Sequence, residues 1–203
     1  RGVAIGQAEL VGRFETGPIA HTLLLGLEHE RYNSTENLLR STPRLDPFAI
    51  DLFNPVYGQA KPPFTRRYSA SENVGNTAVY LQDQIALSPE WKLLLGNRTD
   101  FYNQTFRDKV ANERTEQDRT GFSPRAGLVY QPLSFLALYG NVAASFRPNT
   151  GFDSASRPFA PETGFAYEVG AKLDLFDGLS VTAAAFHIEK ENVLTTDPAD
   201  FFF

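Results

Sequence analysis

Cysteine and methionine are both absent from the 203 residues, and tryptophan occurs only once. Without cysteine there is no disulfide, no thiolate metal site and no cysteine nucleophile. An oxidising compartment remains open to such a chain, as does any other. With no Met at position 1 and no leader-like segment, the chain reads as an internal piece of something longer. Basic residues are in deficit, 19 against 24 acidic ones, for a net charge of −5 and a pI near 5.2. That balance lacks the positive footprint that phosphate backbones require, so nucleic acid is not an expected partner. Mean hydropathy is −0.29, and no apolar run approaches the ~18 residues of a spanning helix. A helical membrane protein is excluded.

What the chain does contain is alternation with a period of two. Phe165, Tyr167, Val169, Ala171, Leu173 and Leu175 alternate with Ala166, Glu168, Gly170, Lys172 and Asp174. Successive side chains of a strand point to opposite faces, so one face is apolar and the other polar. Asp177-Gly178 follows, a hairpin signal because both residue types tolerate positive φ. Leu179, Val181, Ala183 and Ala185 then form a second apolar row. The same unit recurs over 3–15 with 20–31, 74–87 with 91–104, and 122–131 with 135–146. Pro18, Pro89 and Pro132 mark the three turns. The count is eight strands in four hairpins.

The connections between hairpins are long by comparison: 32–73, 105–120 and 147–161. Compact soluble domains rarely place a long structureless loop at every second connection. Short turns at one end and long loops at the other are the layout of a transmembrane β-barrel, whose strands need ~9–11 residues to cross. Trp91, Tyr130 and Phe135 lie beside short turns; Phe101, Tyr102 and Phe146 lie toward the long loops. Two such rows fit the aromatic girdles of the two membrane interfaces. A soluble β-sandwich serving as a binding module is the alternative. The fold class expected is therefore all-β: an antiparallel transmembrane β-barrel segment with short periplasmic turns and long extracellular loops.

Several stretches carry a family resemblance. They include HTLLLGLE at 21–28, DLFNPVYG at 51–58, VYLQDQI at 79–85 and WKLLLG at 91–96. SPRAGLVYQP at 123–132, SFRPN at 145–149, PET at 161–163, YEVGAKLD at 167–174 and IEKENV at 188–193 complete the ordered series. In this order the chain resembles TonB-dependent outer-membrane receptors of the ferric-siderophore branch. The resemblance implies a barrel of about 22 strands with a plugged lumen. Residues 1–203 would be a partial barrel domain, without the plug and the remaining strands. It further implies energy-coupled uptake of a ferric siderophore across the bacterial outer membrane. The TonB complex would then be a partner through the plug region, and outer-membrane lipid would surround the wall.

Some positions depart from the family pattern on the apolar rows: Asn97 and Thr99, His29, His187, and Asp83 beside Val79, Leu81 and Ile85. Arg13, Arg98, Arg125, Glu168, Lys172 and Asp174 occupy the opposite, lumen-facing parity. His21, His29 and His187 sit on different hairpins without ligand spacing, and no G-x-S-x-G context appears. No catalytic residues and no protein-held metal or cofactor are expected; a small barrel enzyme is the minor alternative. Ligand contacts fall to the long loops. Phe48, Phe53, Tyr57, Phe64 and Tyr68, with Arg66 and Arg67, crowd the first; Arg147, Phe152, Arg157 and Phe159 occupy the third. Aromatic faces and guanidinium groups suit a flat, often anionic iron chelate, which itself holds the metal. Phe53, Tyr57, Arg147, Phe152 and Phe159 are the candidate contacts.

Overall fold

The computed structural model describes residues 1–41, 51–58, 63–153, 157–176 and 178–195. Phe48, Asp177 and the terminal Phe201, Phe202 and Phe203 lie outside the described residues. Every named element is a strand: β1 (Gly2–Thr16), β2 (Ile19–Ser41), β3 (Phe64–Ala86), β4 (Trp91–Asp108), β5 (Glu113–Leu133), β6 (Leu136–Arg147), β7 (Glu162–Phe176) and β8 (Leu179–Glu191). They form one antiparallel sheet in which spatial order equals chain order, β1 to β8. The sheet is open, β1 and β8 each pairing along one side.

Register settles which side chains share a face. Leu10 stands opposite Leu25, Leu25 opposite Leu81, and that row continues to Asn97 and Pro124. One residue along, Glu9 stands opposite Gly26, then Tyr80, Arg98 and Ser123 follow. The first row belongs to the apolar face and the second to the polar one, so the alternation read along each strand is matched across the sheet. Arg13, Arg98, Arg125, Glu168, Lys172 and Asp174 all share the polar parity. Among the described residues the buried apolar set is only Ala70, Ala78 and Tyr102. Leu10, Leu25, Leu27, Val79, Leu81 and Leu95 are each at least 41% exposed. A soluble sandwich would hide that row in its core; a barrel wall presents it to acyl chains.

The aromatic rows are partly where the sequence places them. Trp91 and Tyr130 pair across β4 and β5 and stack at 4.2 Å beside the short turns. Phe101, Phe122 and Phe165 stand exposed on the same face toward the other end. Phe101 lies ten residues after Trp91, about 33 Å of strand, or roughly 23 Å of height at a 45° tilt. That matches the apolar band of an outer-membrane barrel, about 25 Å tall. Tyr102 does not join the girdle: it follows Phe101 directly, takes the opposite face, and is 8% exposed. Phe146 packs over Gly121, where a Cβ would fall 1.9 Å from its ring.

The connections differ from expectation in length. The β2–β3 ladder continues past Asn33 and Asn73 as far as Ser41 and Phe64, with one register shift at Leu38/Leu39. Phe64, Arg66, Arg67 and Tyr68 are therefore strand residues rather than loop. The 105–120 segment is mostly ladder, since Asp108 pairs with Glu113 and only 109–112 turn. Asp108 Oδ1 accepts from the N–H groups of Val110 and Ala111, and Asn112 takes φ 55°. Both misjudged stretches lie beyond the apolar band. There neither face of a strand meets lipid, so both faces carry polar residues and the hydrophobic period vanishes while the ladder persists. Pro132 sits within β5 at a register shift between Tyr130 and Leu133, and the turn is Ser134-Phe135. A residue without an N–H is tolerated at such a break.

Strand parity puts the strand ends at the β1–β2, β3–β4, β5–β6 and β7–β8 turns on one side, and those at the β2–β3, β4–β5 and β6–β7 connections on the other. In an outer membrane the short turns face the periplasm. Cysteines introduced at Tyr57 and at Pro89, in the full-length protein freed of other thiols, check this. An impermeant maleimide on whole cells labels position 57 and spares 89; the opposite pattern inverts the topology.

Candidate ligand-facing wall and mouth

The concave wall is organised by Tyr80 and Arg98. Gly26 leaves a gap opposite Tyr80, and a Cβ there would lie 2.0 Å from the tyrosine ring. The ring therefore reaches across β2 to β1, where Tyr80 donates to Glu9 Oε1 (2.7 Å) and accepts from Gln7 Nε2 (2.6 Å). Arg98 donates to Glu28 Oε1 (2.7 Å) and to Asp100 Oδ1 (2.9 Å), and its guanidinium lies 5.9 Å from the Tyr80 ring centre. Asn76 donates to the same Asp100 oxygen (2.8 Å). One cation thus sits between two carboxylates, one of which also accepts from Asn76. Such charge-assisted contacts hold a polar wall rigid where water is scarce. Tyr139 repeats the device: its ring covers Gly170, and the Lys172 ammonium lies 5.7 Å above it. A trough of about 900 Å³ beside the second group is lined by Leu94, Arg125, Val129, Tyr139, Ala143 and Lys172.

The polar residues on the outer face find partners on that same face. His21 Nδ1 lies 2.8 Å from Asp83 Oδ2, its Nε2 lies 2.7 Å from Thr16 Oγ1, and its ring stacks on Phe14 at 4.8 Å. Asn97 donates to Thr99 Oγ1 (3.0 Å), His29 bonds Thr77 (3.0 Å), and His187 stacks on Tyr167 at 5.2 Å. Asp83 Oδ1 and Asn97 Oδ1 stay buried without a protein partner.

The mouth is assembled from strand extensions and the 148–161 connection. Gln104 donates to Glu72, and Gln117 donates both to Gln104 and to the backbone oxygen of Asn149 (3.2 Å). Phe152 packs on Phe106 of β4, ring centres 5.6 Å apart, and bridges to Pro158. Arg157 closes on Asp153 through Nε (2.8 Å) and its own N–H (2.9 Å). Phe159 lies against Gly151, whose φ is 104°. Arg147 ends β6 opposite Glu162, and Lys190 donates to Glu162 (2.8 Å), which holds that carboxyl below its ordinary value.

Of the five candidate contacts, Phe152 and Phe159 lie on this connection and Arg147 ends the strand that leads into it. Phe53 and Tyr57 belong to a different one and are almost fully exposed, 98% and 79%. Asp51 Oδ1 caps their turn by accepting from the N–H of Phe53 (2.8 Å). Among the described residues no ring contact or hydrogen bond joins the two groups, and none includes a cluster of three metal-ligating side chains. Sequence reasoning missed Glu72, Gln104, Gln117 and Asn149. The signal was present in the continued even-numbered parity of β4, but residues 105–120 read as loop concealed it.

The apolar face carries a measurable consequence. His21→Leu leaves the Asp83 carboxylate unpaired against lipid and costs about 1–2 kcal/mol in vesicle urea unfolding. Adding Asp83→Leu restores most of that loss. Equal stability of the single variant and the parent would refute the pairing.

A family model described as TonB dependent receptor-like, beta-barrel, matches residues 5–203. The metal-pseudopaline receptor CntO of Pseudomonas aeruginosa is 47% identical over 97% of this chain and 29% of its own length. The ferrioxamine B receptor of Salmonella typhimurium is 33% identical over 94% of this chain and 27% of its own. This chain therefore spans under a third of those relatives. Among solved structures, the siderophore receptor PiuA from Acinetobacter baumannii superposes with a TM-score of 0.70 at 22% identity, over 91% of this chain and 31% of its own. The ferripyoverdine receptor of Pseudomonas aeruginosa gives 0.71 at 22% identity, over 98% and 27%. At that identity the superpositions speak for the fold alone, and they agree with the family match: the chain belongs to the TonB-dependent receptor β-barrel family and forms part of the wall of an outer-membrane barrel.

Proposed function

We propose that the whole protein takes up a ferric siderophore across the outer membrane by an energy-coupled, TonB-dependent route. This chain would supply eight strands of the wall and three outward connections. The observation that carries the reading is the family match over 5–203, on a wall whose outer face is apolar and whose inner face is polar and cross-linked. The relatives support it, among them a ferrioxamine B receptor and a ferrichrome outer membrane transporter/phage receptor from Escherichia coli. Coupling to the TonB complex would run through a plug region outside these residues.

In this reading the barrel wall does no bond chemistry. The chelator holds the metal, so the protein needs no metal ligands and no resident cofactor. Its task is to offer aromatic faces and guanidinium groups at the outer mouth, and a polar interior behind them. The contacts proposed are Phe152 and Phe159 on 148–161, Arg147 at the end of β6, and Phe53 and Tyr57 on the first outward connection. A second reading has one observation in its favour. The relative at 47% identity is named a metal-pseudopaline receptor, without specifying iron, so in this reading the chelated metal need not be iron.

Radiolabelled uptake separates these readings. Cells expressing the full-length protein, with other receptors deleted, accumulate iron from at least one of a panel of ferric siderophores. That accumulation disappears when TonB is deleted. Accumulation of zinc, nickel or cobalt chelates without iron would favour the second reading; uptake independent of TonB would refute both.

A further inference from the structure

The SFRPN stretch at 145–149 ends on a residue whose placement the transport reading leaves unexplained. Asn149 Nδ2 carries two N–H groups, and both are used: one donates to Ala160 O (2.6 Å), the other to Asn192 O (2.8 Å). Its backbone oxygen accepts from Gln117 Nε2 on β5 (3.2 Å). Asn192 returns the link by donating from Nδ2 to Pro161 O (3.0 Å), and it adopts φ 58°, a left-handed conformation that asparagine tolerates. A single carboxamide therefore joins the start of the 148–161 connection to its end and to the chain leaving β8. Through the neighbouring peptide oxygen it also meets the mouth of the barrel.

The connection has its own internal ties. Phe152 and Pro158 form a bridge, Asp153 N–H donates to Arg157 O (2.9 Å), and the Arg157 side chain closes on Asp153. Outside Asn149, its described attachments are the Phe152 ring on Phe106 and the Asn192 bond to Pro161 O. A segment braced internally and fixed at few points moves as a unit when one fixing point is lost.

We propose that Asn149 is the latch of the mouth. It holds the 148–161 connection folded against β4 and β5, couples it to the segment after β8, and so keeps Phe152 and Phe159 in place before a metal chelate arrives. Asn149 is thus a positioning residue. The half of this proposal that concerns the chelate rests on the transport reading above.

Asn149→Asp keeps the side-chain shape, removes both donors and sets a carboxylate against two carbonyl oxygens; Asn149→Ala removes the group altogether. Each is made in the full-length protein, with and without Phe159→Cys as a reporter, and surface amount is measured alongside. Half-buried position 159 should react with an impermeant maleimide on whole cells about tenfold faster in either variant, the loss expected from two hydrogen bonds. With radiolabelled ferrioxamine B or ferrichrome as the probe, KM for uptake rises by a similar factor while the maximal rate and surface amount hold. An unchanged labelling rate overturns the latch. Faster labelling with an unchanged KM overturns the positioning role. If the parent protein carries neither chelate, the transport reading is what fails for these probes, and the labelling rate alone then decides the latch.

Discussion

Everything in this sheet follows from the inability of hydrocarbon to hydrogen-bond a peptide group. A strand in lipid must have each N–H and C=O paired by a neighbouring strand, because each unpaired group costs several kcal/mol. Antiparallel neighbours joined by two-to-four-residue turns meet that demand with the least chain. Here spatial order is chain order throughout β1 to β8. Once the ladder is fixed, parity does the rest: one set of side chains meets lipid and the other meets the interior. The usual burial rule is inverted, with leucine and valine exposed and Ser34, Asp100, Gln104 and Gln117 buried.

The polar face needs stiffness that an apolar core would otherwise supply. It obtains it from aromatic rings laid over glycine and from charges shared among several partners. Tyr80 fits over Gly26, and Tyr139 over Gly170, because glycine alone leaves space for a ring to cross a strand. Arg98, paired with Asp100 on its own strand β4, reaches past β3 to Glu28 on β2, so two non-adjacent strands are tied by one guanidinium. Planar, delocalised and multiply donating, arginine suits that place better than lysine. On the outer face the logic reverses. A polar atom there is tolerated when a neighbour on the same face satisfies it, as Thr16, His21 and Asp83 show.

How much of this was legible in the sequence depends on the solvent each segment meets. Between the girdles, one face sees lipid and the other sees the interior, so alternation is strong and β7, β4 and β1 can be read directly from their residues. The lumen parity of Arg98, Arg125 and Glu168 was legible for the same reason. Beyond the girdles neither face meets lipid and both are polar, so Asn33 to Ser41 or Thr105 to Asp108 look like loop although they are ladder. Proline misled in one place: Pro132 marks a register break inside β5, not a turn. The site was harder still. Aromatic and arginine content pointed to 148–161 and 51–58, but nothing local distinguishes Phe152, packed on Phe106, from the exposed Phe53. The Asn149 contacts to Ala160 and Asn192 span 11 and 43 residues, distances that no periodicity encodes.

The central claim is that the apolar parity of these strands faces lipid and the polar parity an aqueous or protein-filled interior. Nitroxide labels placed singly along β4 from Trp91 to Phe101, in the full-length protein reconstituted in bilayers, report it residue by residue. Accessibility to dissolved oxygen should alternate strictly, high at positions 91, 93, 95, 97, 99 and 101 and low at 92, 94, 96, 98 and 100. A profile with no period of two, or with high accessibility to a water-soluble nickel chelate on the odd positions, would contradict the account.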